Sequence, residues 1–253
     1  MLPATRRRTI IELVSENGGC SVTELSSQLD VSKATVRRDL GTLENEGLIE
    51  RSHGGAVPIT SVDRERTYQQ KGVQNHTEKA AIAERTVEEI VGEQVVFFDS
   101  GTTTMEVAKR VSTDEVTLAV TNSPLIALEL GADDREVKLT GGTLRGRTRA
   151  LVGPTTEAFL DRRHFDLLVL GTNAIDAAGL MTPNEDEARI KELIIEHSAR
   201  VILVADHTKL GERSVVRFAD LEDIDTFVVD QEPGETARES LKTANVTIAL
   251  GEQ

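Results

Sequence analysis

This chain of 253 residues has little of what several protein classes require. Its single cysteine cannot form an intrachain disulfide, which is typical of proteins from a reducing compartment. No apolar run approaches the ~20 residues that a membrane-spanning helix needs, and no apolar signal segment stands at the amino terminus. We therefore expect a cytoplasmic protein that has no membrane partner.

The motifs of common enzyme and metal-binding classes are missing as well. There is no Gly-x-Ser-x-Gly elbow, Walker A loop or Gly-x-Gly-x-x-Gly loop. The histidines form no close pair in the sequence and lie at positions 53, 76, 164, 197 and 207. We expect neither a metal site nor another cofactor. Cys20 follows two glycines, which indicates a small apolar residue between helices; a redox switch is the alternative.

The net charge of −14 is distributed unevenly. Residues 1–57 hold seven basic and eight acidic residues, whereas residues 58–253 hold 22 and 35. The first part of the chain is therefore close to neutral and would not strongly repel a polyanion. Only 8 of the 29 basic residues are lysines. An acidic surface that is poor in lysine indicates a halophilic source, and a plain acidic mesophilic protein is the alternative.

Residues 31–40 contain a pattern that is typical of the second helix of a helix-turn-helix. Ser32 is a suitable N-cap, and Val36, Leu40 and Leu43 recur at helical spacing on one apolar stripe. Polar and basic side chains off this stripe are predicted to enter the major groove, where arginine pairs with guanine. The candidate DNA-binding residues of this helix are Ser32, Lys33, Ala34, Thr35, Arg37 and Arg38. An ordinary amphipathic helix with a solvated basic face is the alternative.

The flanking residues complete a winged helix-turn-helix. Residues 6–16 and 23–29 predict two short helices before the pattern, and residues 48–51 predict a strand that two glycines turn back into a wing. His53 in this wing is a candidate for a phosphate or minor-groove contact, and a simple turn role is the alternative. A DNA-binding domain is thus predicted over residues 1–57.

The rest of the chain predicts a polar linker over residues 58–75 and a separate α/β domain over residues 76–253. In the second domain compact apolar strands alternate with helices, which argues for a mostly parallel sheet covered on both faces. The predicted strands are residues 94–98, 116–120, 136–139, 165–170, 201–205 and 227–229. The predicted helices begin near residue 76 and continue with residues 103–110, 124–130, 154–160 and 185–198.

Polar, glycine-rich segments follow the predicted strands. Ligands bind such sheets beyond the carboxyl ends of the strands, and hydroxyls with free amides at a helix N-terminus suit phosphate. Any one glycine turn could be structural, but four at consecutive strand ends favour a ligand site. The candidates are Asp99, Ser100, Gly101, Thr102, Thr103, Thr121, Asn122, Gly141, Gly142, Arg147 and Gly171. Glu187 and Lys191 are further candidates, with an i,i+4 surface ion pair as the alternative.

These residues resemble the DeoR family of bacterial and archaeal repressors of sugar metabolism. In the first part the resemblance rests on Arg-x-x-Ile-Ile, Val-Ser-x-x-Thr-Val-Arg-Arg-Asp-Leu and His-Gly-Gly-Ala. In the second part it rests on Asp-Ser-Gly-Thr-Thr-Thr, Thr-Asn-Ser, Thr-Gly-Gly, Leu-Val-Gly-Pro, Gly-Thr-Asn-Ala-Ile-Asp, Asp-Glu-Ala and Ala-Asp-His-Thr-Lys. The resemblance implies a C-terminal fold like those of ribose-5-phosphate isomerase and glucosamine-6-phosphate deaminase. It also implies that residues 100–103 hold a phosphate and that the sugar is lined by Asp176, Glu187, Asp206 and Lys209.

By this resemblance the chain represses genes of sugar (fructose or glucose) or glycerol catabolism. It would bind operator DNA as a homo-oligomer, a dimer or tetramer, and a phosphorylated sugar or polyol would release it. The alternative is an isomerase-like enzyme fused to a DNA-binding domain. Asn173 argues against it, because the isomerases carry a carboxylate at this position, and we expect no catalytic residues. A second domain that only oligomerises is a third possibility.

Overall fold

The computed structural model divides the chain into two compact units, Met1–His76 and Thr77–Gln253. Residues 59–64 of the expected linker lie outside the described part of the chain. The described residues are 2–58, 65–90, 92, 94–112, 116–132 and 136–251. Every helix in these ranges is too short or too polar to cross a membrane.

The first unit combines four helices with a small antiparallel sheet. The helices are α1 (Pro3–Glu16), α2 (Val22–Gln28), α3 (Lys33–Asn45) and α4 (Tyr68–Val73). The strands are β1 (Cys20–Ser21), β2 (Glu50–Ser52) and β3 (Gly55–Val57). They pair in the order β1-β3-β2, and β2 and β3 form the hairpin of the wing. The winged helix-turn-helix is confirmed.

Side-chain caps fix where the helices of the helix-turn-helix begin. Ser21 and Glu24 form a capping box at the start of α2, so each side chain accepts from the other residue's amide. The hydroxyl of Ser32 accepts from the amide of Thr35 at 3.1 Å and caps α3, as its sequence predicts. The helices and the wing close around one core whose most deeply buried members are Ile10, Val14, Leu25, Val36, Leu40, Leu43 and Ala56.

Helix α4 lies within residues 58–75, the segment that the sequence predicts as a polar linker. Thr67 and Gln70 make a capping box at its start. Gln70 also donates from Nε2 to the carbonyl oxygen of Gly47, and Val73 packs against the core of the first unit. The sequence of this helix has no apolar stripe at helical spacing, so hydrophobic periodicity could not predict it.

The second unit contains the elements of an α/β domain. Its helices are α5 (His76–Val87), α6 (Thr102–Ala108), α7 (Pro124–Leu130), α8 (Pro154–Leu160), α9 (Glu185–Glu196) and α10 (Glu235–Thr243). Its strands are β4 (Gln94–Phe98), β5 (Val116–Thr121), β6 (Val137–Leu139), β7 (Thr143–Leu144), β8 (Leu151–Val152), β9 (Leu167–Gly171), β10 (Ala174–Asp176), β11 (Gly179–Thr182), β12 (Val201–Val204), β13 (Val216–Ala219), β14 (Thr226–Val229) and β15 (Thr247–Leu250).

Seven strands form one parallel sheet in the order β15-β14-β12-β9-β4-β5-β6. Successive residues point to opposite faces: Phe97 and Leu168 belong to one buried cluster, Phe98 and Val169 to another. The sheet is therefore covered on both faces, as its apolar strands predict. Chain order reverses between β4 and β9, which makes their carboxyl ends the topological switch point.

Three strands outside the prediction form a separate antiparallel sheet in the order β10-β11-β13. Strands β10 and β11 make a hairpin in which Ala174 is paired with Met181. Helix α10 and strand β15 are also outside the prediction. A strand of three or four residues shows no readable hydrophobic period, so the short hairpin strands resemble a loop in the sequence.

Candidate functional site

Helix α3 exposes the residues that its sequence assigns to DNA. Thr35 is half-buried, and its hydroxyl lies 3.0 Å from that of Ser32. His53 in the wing is exposed. The remaining candidates of this helix are all exposed, namely Ser32, Lys33, Ala34, Arg37 and Arg38. The arrangement leaves the first two turns of α3 accessible to a duplex, as a recognition helix requires.

A buried ion pair fixes α3 against α1. Arg6 Nε lies 2.6 Å from Asp39 Oδ2, and Arg6 Nη2 donates to Asp39 Oδ1 at 3.3 Å. This contact raises the pKa of the Arg6 guanidinium, chiefly through the hydrogen bond to Asp39. A bidentate pair sets orientation as well as distance, so it holds α3 and its exposed arginines in place. The sequence does not predict the pair, because 33 residues separate its members.

At the switch point of the second unit, Asp99 and Lys191 form a buried ion pair. Asp99 follows β4 and is 0% exposed, and Lys191 on α9 is 4% exposed. The Lys191 ammonium contacts Asp99 Oδ2 and donates to the carbonyl oxygen of Gly171 at 2.8 Å. The amide of Gly171 donates to the same carboxylate oxygen at 3.2 Å. Three candidates from three separate elements therefore meet, and we call them the switch-point cluster.

The electrostatics of Asp99 also mark this cluster. Burial raises the pKa of the Asp99 carboxyl above its ordinary value, because it disfavours the charged form. The Lys191 ammonium opposes this effect by attraction and by its hydrogen bond, whereas the charge of Glu187 adds to the rise in pKa. A buried carboxyl group with a perturbed pKa at the topological switch point of a parallel sheet indicates a functional site.

Two polar atoms beside the cluster have no hydrogen-bond partner among the described residues, Asp99 Oδ1 and Thr104 Oγ1. A Cβ atom added to Gly101 would lie 3.2 Å from Thr104 Oγ1, and one added to Gly171 would lie 3.5 Å from it. The threonine hydroxyl is thus close to both glycines. Buried polar atoms in proteins are nearly always hydrogen-bonded, so both atoms retain capacity for a polar ligand. Thr104 is missing from the predicted site.

The loop after β4 is tied to the loop after β5. The amide of Ser100 donates to Asn122 Oδ1 at 2.9 Å, and the hydroxyl of Thr121 donates to the carbonyl oxygen of Phe98 at 2.7 Å. Thr121 and Asn122 therefore position the loop. None of the described side chains caps α6 at Gly101, and the half-buried Thr102 and Thr103 form its first turn. Uncapped amides of this kind suit an anion.

Glu187 binds the loop between β7 and β8. Its carboxylate accepts hydrogen bonds from Arg145 Nη1 and from the Thr148 hydroxyl. Glu187 and Lys191 each have a partner outside α9, so their spacing reflects more than an ion pair along the helix. Arg147, the arginine chosen from the sequence, is exposed. The sequence could not rank the arginines of this loop, and a ligand contact of Arg147 stays a prediction.

Gly141 and Gly142 form a tight turn against α8. The carbonyl oxygen of Gly141 accepts from the Thr156 hydroxyl at 2.7 Å. Gly142 has a φ of +110°, and an added Cβ would lie 2.2 Å from Thr156 Oγ1. Packing alone therefore requires glycine at position 142. These contacts favour the structural interpretation of both glycines.

The three remaining candidates lie in the hairpin of β10 and β11 and in the chain that follows β12. Asp176, in the hairpin of β10 and β11, accepts from Arg213 Nε at 2.6 Å and lines a cleft of about 400 Å³ beside α10. Asp206 follows β12, the neighbour of β9, and accepts from the amide of Thr208 at 3.2 Å. Lys209 Nζ lies 3.9 Å from Asp206 Oδ2. A sugar contact of these three residues stays a prediction.

A winged helix-turn-helix in one unit and a buried polar cluster at the switch point of the other are the features of a DNA-binding transcription regulator with a sensor domain. Residues 6–62 match the family model of the DeoR-like helix-turn-helix domain. Residues 74–231 match that of the DeoR C-terminal sensor domain. The chain belongs to the DeoR family, as its motifs predict.

Relatives over the full length are also regulators. The chain is 62% identical over 252 residues to the HTH-type transcriptional regulator GlpR of Haloferax volcanii, covering 99% of each chain. It is 34% identical over 253 residues to the glycerol-3-phosphate regulon repressor of Escherichia coli K12, covering 99% of this chain and 100% of that one. The Haloferax relative fits the predicted halophilic source. Among solved structures, ribose 5 phosphate isomerase A from Neisseria gonorrhoeae aligns with a TM-score of 0.41 at 14% identity, over 59% of this chain and 57% of that one.

Proposed function

We propose that this regulator represses genes of sugar (fructose or glucose) or glycerol catabolism and leaves its operator when a phosphorylated sugar or polyol binds. The switch-point cluster carries the proposal. Asp99 Oδ1 of this cluster and the hydroxyl of the nearby Thr104 both lack a hydrogen-bond partner among the described residues, and Thr104 lies in the first turn of α6. The phosphate would bind the amides and hydroxyls of residues 100–103, and sugar hydroxyls would bind the two unpaired atoms.

Release from DNA requires that the ligand bind the two states of the regulator with different affinity. We propose that the regulator is a homo-oligomer in the state that has no ligand and is bound to its operator. A dimer with helix-turn-helix domains reads two half-sites that are related by its own symmetry. The relative from Escherichia coli is named a repressor of a glycerol-3-phosphate regulon, which supports this class of effector.

We propose further that the ligand is bound without being transformed. An aldose-ketose isomerase needs a carboxylate that moves a proton between carbons. At position 173 this chain has an asparagine whose Oδ1 accepts from the Thr182 hydroxyl at 3.2 Å. A neutral amide held in this way cannot serve as the base. A bound sugar phosphate should therefore be recovered unchanged after hours of incubation.

Phosphorylated ligands are expected to stabilise the protein, and their unphosphorylated parents are not. At 100 times the dissociation constant, a ligand specific for the folded state adds about 2.7 kcal/mol to the free energy of unfolding. A thermal-shift comparison of fructose 1-phosphate and glycerol 3-phosphate with fructose and glycerol measures this effect. Gel shifts with the same compounds measure release from DNA. Equal stabilisation by the parents would contradict the phosphate role of residues 100–103.

A further inference from the structure

A histidine outside the predicted site is fixed at the carboxyl edge of the sheet. His207 follows β12, and Asp230 follows the neighbouring strand β14. Asp230 Oδ1 accepts from the amide of His207 at 2.7 Å, and Asp230 Oδ2 lies 2.7 Å from His207 Nδ1. The side chain of Asp230 is 2% exposed and that of His207 is 38% exposed. One buried carboxylate thus fixes the backbone and the ring of a histidine that remains accessible.

The partner of Nδ1 determines what the other ring nitrogen can do. An ionised carboxylate only accepts hydrogen bonds, so Nδ1 must carry the proton that is donated to Asp230. In the neutral ring Nε2 is then an acceptor. Within the described ranges, Asp230 is the only group that is hydrogen-bonded to this ring. An accessible acceptor in a fixed position suits a ligand hydroxyl, which can donate to it.

The strand order gives the place of His207 relative to the switch-point cluster. Strand β12 pairs with β9, which pairs with β4, so two strand spacings of ~10 Å in total separate the chain after β12 from the chain after β4. Gly171 ends the intervening strand and has no side chain that would obstruct a ligand. A ligand whose phosphate lies at residues 100–103 must therefore extend across β9 to reach His207. A sugar of five or six carbons extends further than the three carbons of glycerol.

We infer that His207 Nε2 accepts a hydrogen bond from a hydroxyl of the phosphorylated sugar, at the end of the ligand remote from the phosphate. Asp230 is a positioning residue, because it sets the tautomer and the orientation of the ring. This inference rests on the proposed function and deepens it: the pair selects sugar phosphates over short polyol phosphates. A purely structural role of the pair would give no such selection, which makes the two interpretations separable.

Titration calorimetry on the full-length chain tests this inference. The probes are fructose 1-phosphate, glucose 6-phosphate, glycerol 3-phosphate and inorganic phosphate. Loss of one hydrogen bond predicts that His207→Ala weakens binding of at least one hexose phosphate by ~3- to 10-fold. Binding of glycerol 3-phosphate and inorganic phosphate should not change. His207→Gln, whose amide oxygen can accept, should recover part of the loss. His164→Ala is the matched control, because His164 is exposed and precedes β9 at the opposite edge of the sheet.

Each other outcome has a definite meaning. Equal weakening of all bound probes by His207→Ala, or no weakening at all, overturns the role of His207 and leaves the proposed function intact. Binding of glycerol 3-phosphate without either hexose phosphate also overturns it. If the wild-type chain binds none of the four probes, the proposed function itself fails. Melting temperatures of the variants identify a folding defect, in which case His207→Gln provides the comparison with the wild type.

Discussion

Replacing Lys191 with alanine is expected to abolish the response to ligand and to destabilise the second unit by about 3–5 kcal/mol. The substitution leaves Asp99, which is 0% exposed, without the cation that compensates its charge. An unpaired buried charge costs more than the pair contributes, because its desolvation is no longer offset. Urea unfolding measures the stability, and gel shifts with fructose 1-phosphate or glycerol 3-phosphate measure release.

The double variant Asp99→Asn with Lys191→Met separates stability from ligand binding. It removes both charges at similar side-chain volume, so most of the lost stability should return. The response to ligand should not return, because the carboxylate and the ammonium are both missing. Two results for Lys191→Ala would contradict the assignment of the switch-point cluster. One is a stability equal to that of the wild type, and the other is release from DNA when ligand is added.

The sequence predicts the elements that local chemistry determines. Helices α7 and α8 occupy the predicted residues, because a proline at the first helical position marks each start. Six of the seven strands of the large sheet are predicted to within a few residues, because each is a compact apolar run between turn residues; the seventh strand, β15, is not predicted. Helix α4 and the hairpin of β10 and β11 are not predictable in this way. They depend on packing against residues distant in the sequence.

The candidate site shows the same division. The sequence identifies Asp99 and Gly171 because both lie at strand ends. It identifies Lys191 because this residue lies near the start of a helix. That Lys191 pairs with Asp99 across 92 residues follows only from the strand order. Arg145 is half-buried and contacts Glu187, whereas Arg147 is exposed, since the turn after β7 decides which arginine points inwards. Composition alone cannot distinguish them.

Replacing Arg37 or Arg38 with alanine is expected to cost ~1–3 kcal/mol of operator binding for each copy that reads a guanine. Both side chains are exposed on α3, and the ion pair between Arg6 and Asp39 holds this helix in place. A symmetric dimer carries the substitution in both half-sites, so the loss in the whole complex is about twice as large. Gel shifts on operator and on random DNA measure it.

Two controls distinguish contacts to bases from attraction to phosphate: a high salt concentration and the substitution of an arginine outside α3. At ~1 M salt the Debye length is ~3 Å, so contacts to phosphate contribute little and base contacts persist. The loss caused by Arg37→Ala or Arg38→Ala should therefore persist in high salt and be confined to operator DNA. Arg8→Ala, an exposed arginine of α1, removes the same charge and should affect operator and random DNA alike. If Arg37→Ala and Arg38→Ala behave like Arg8→Ala, these arginines bind phosphate and the sequence is read elsewhere.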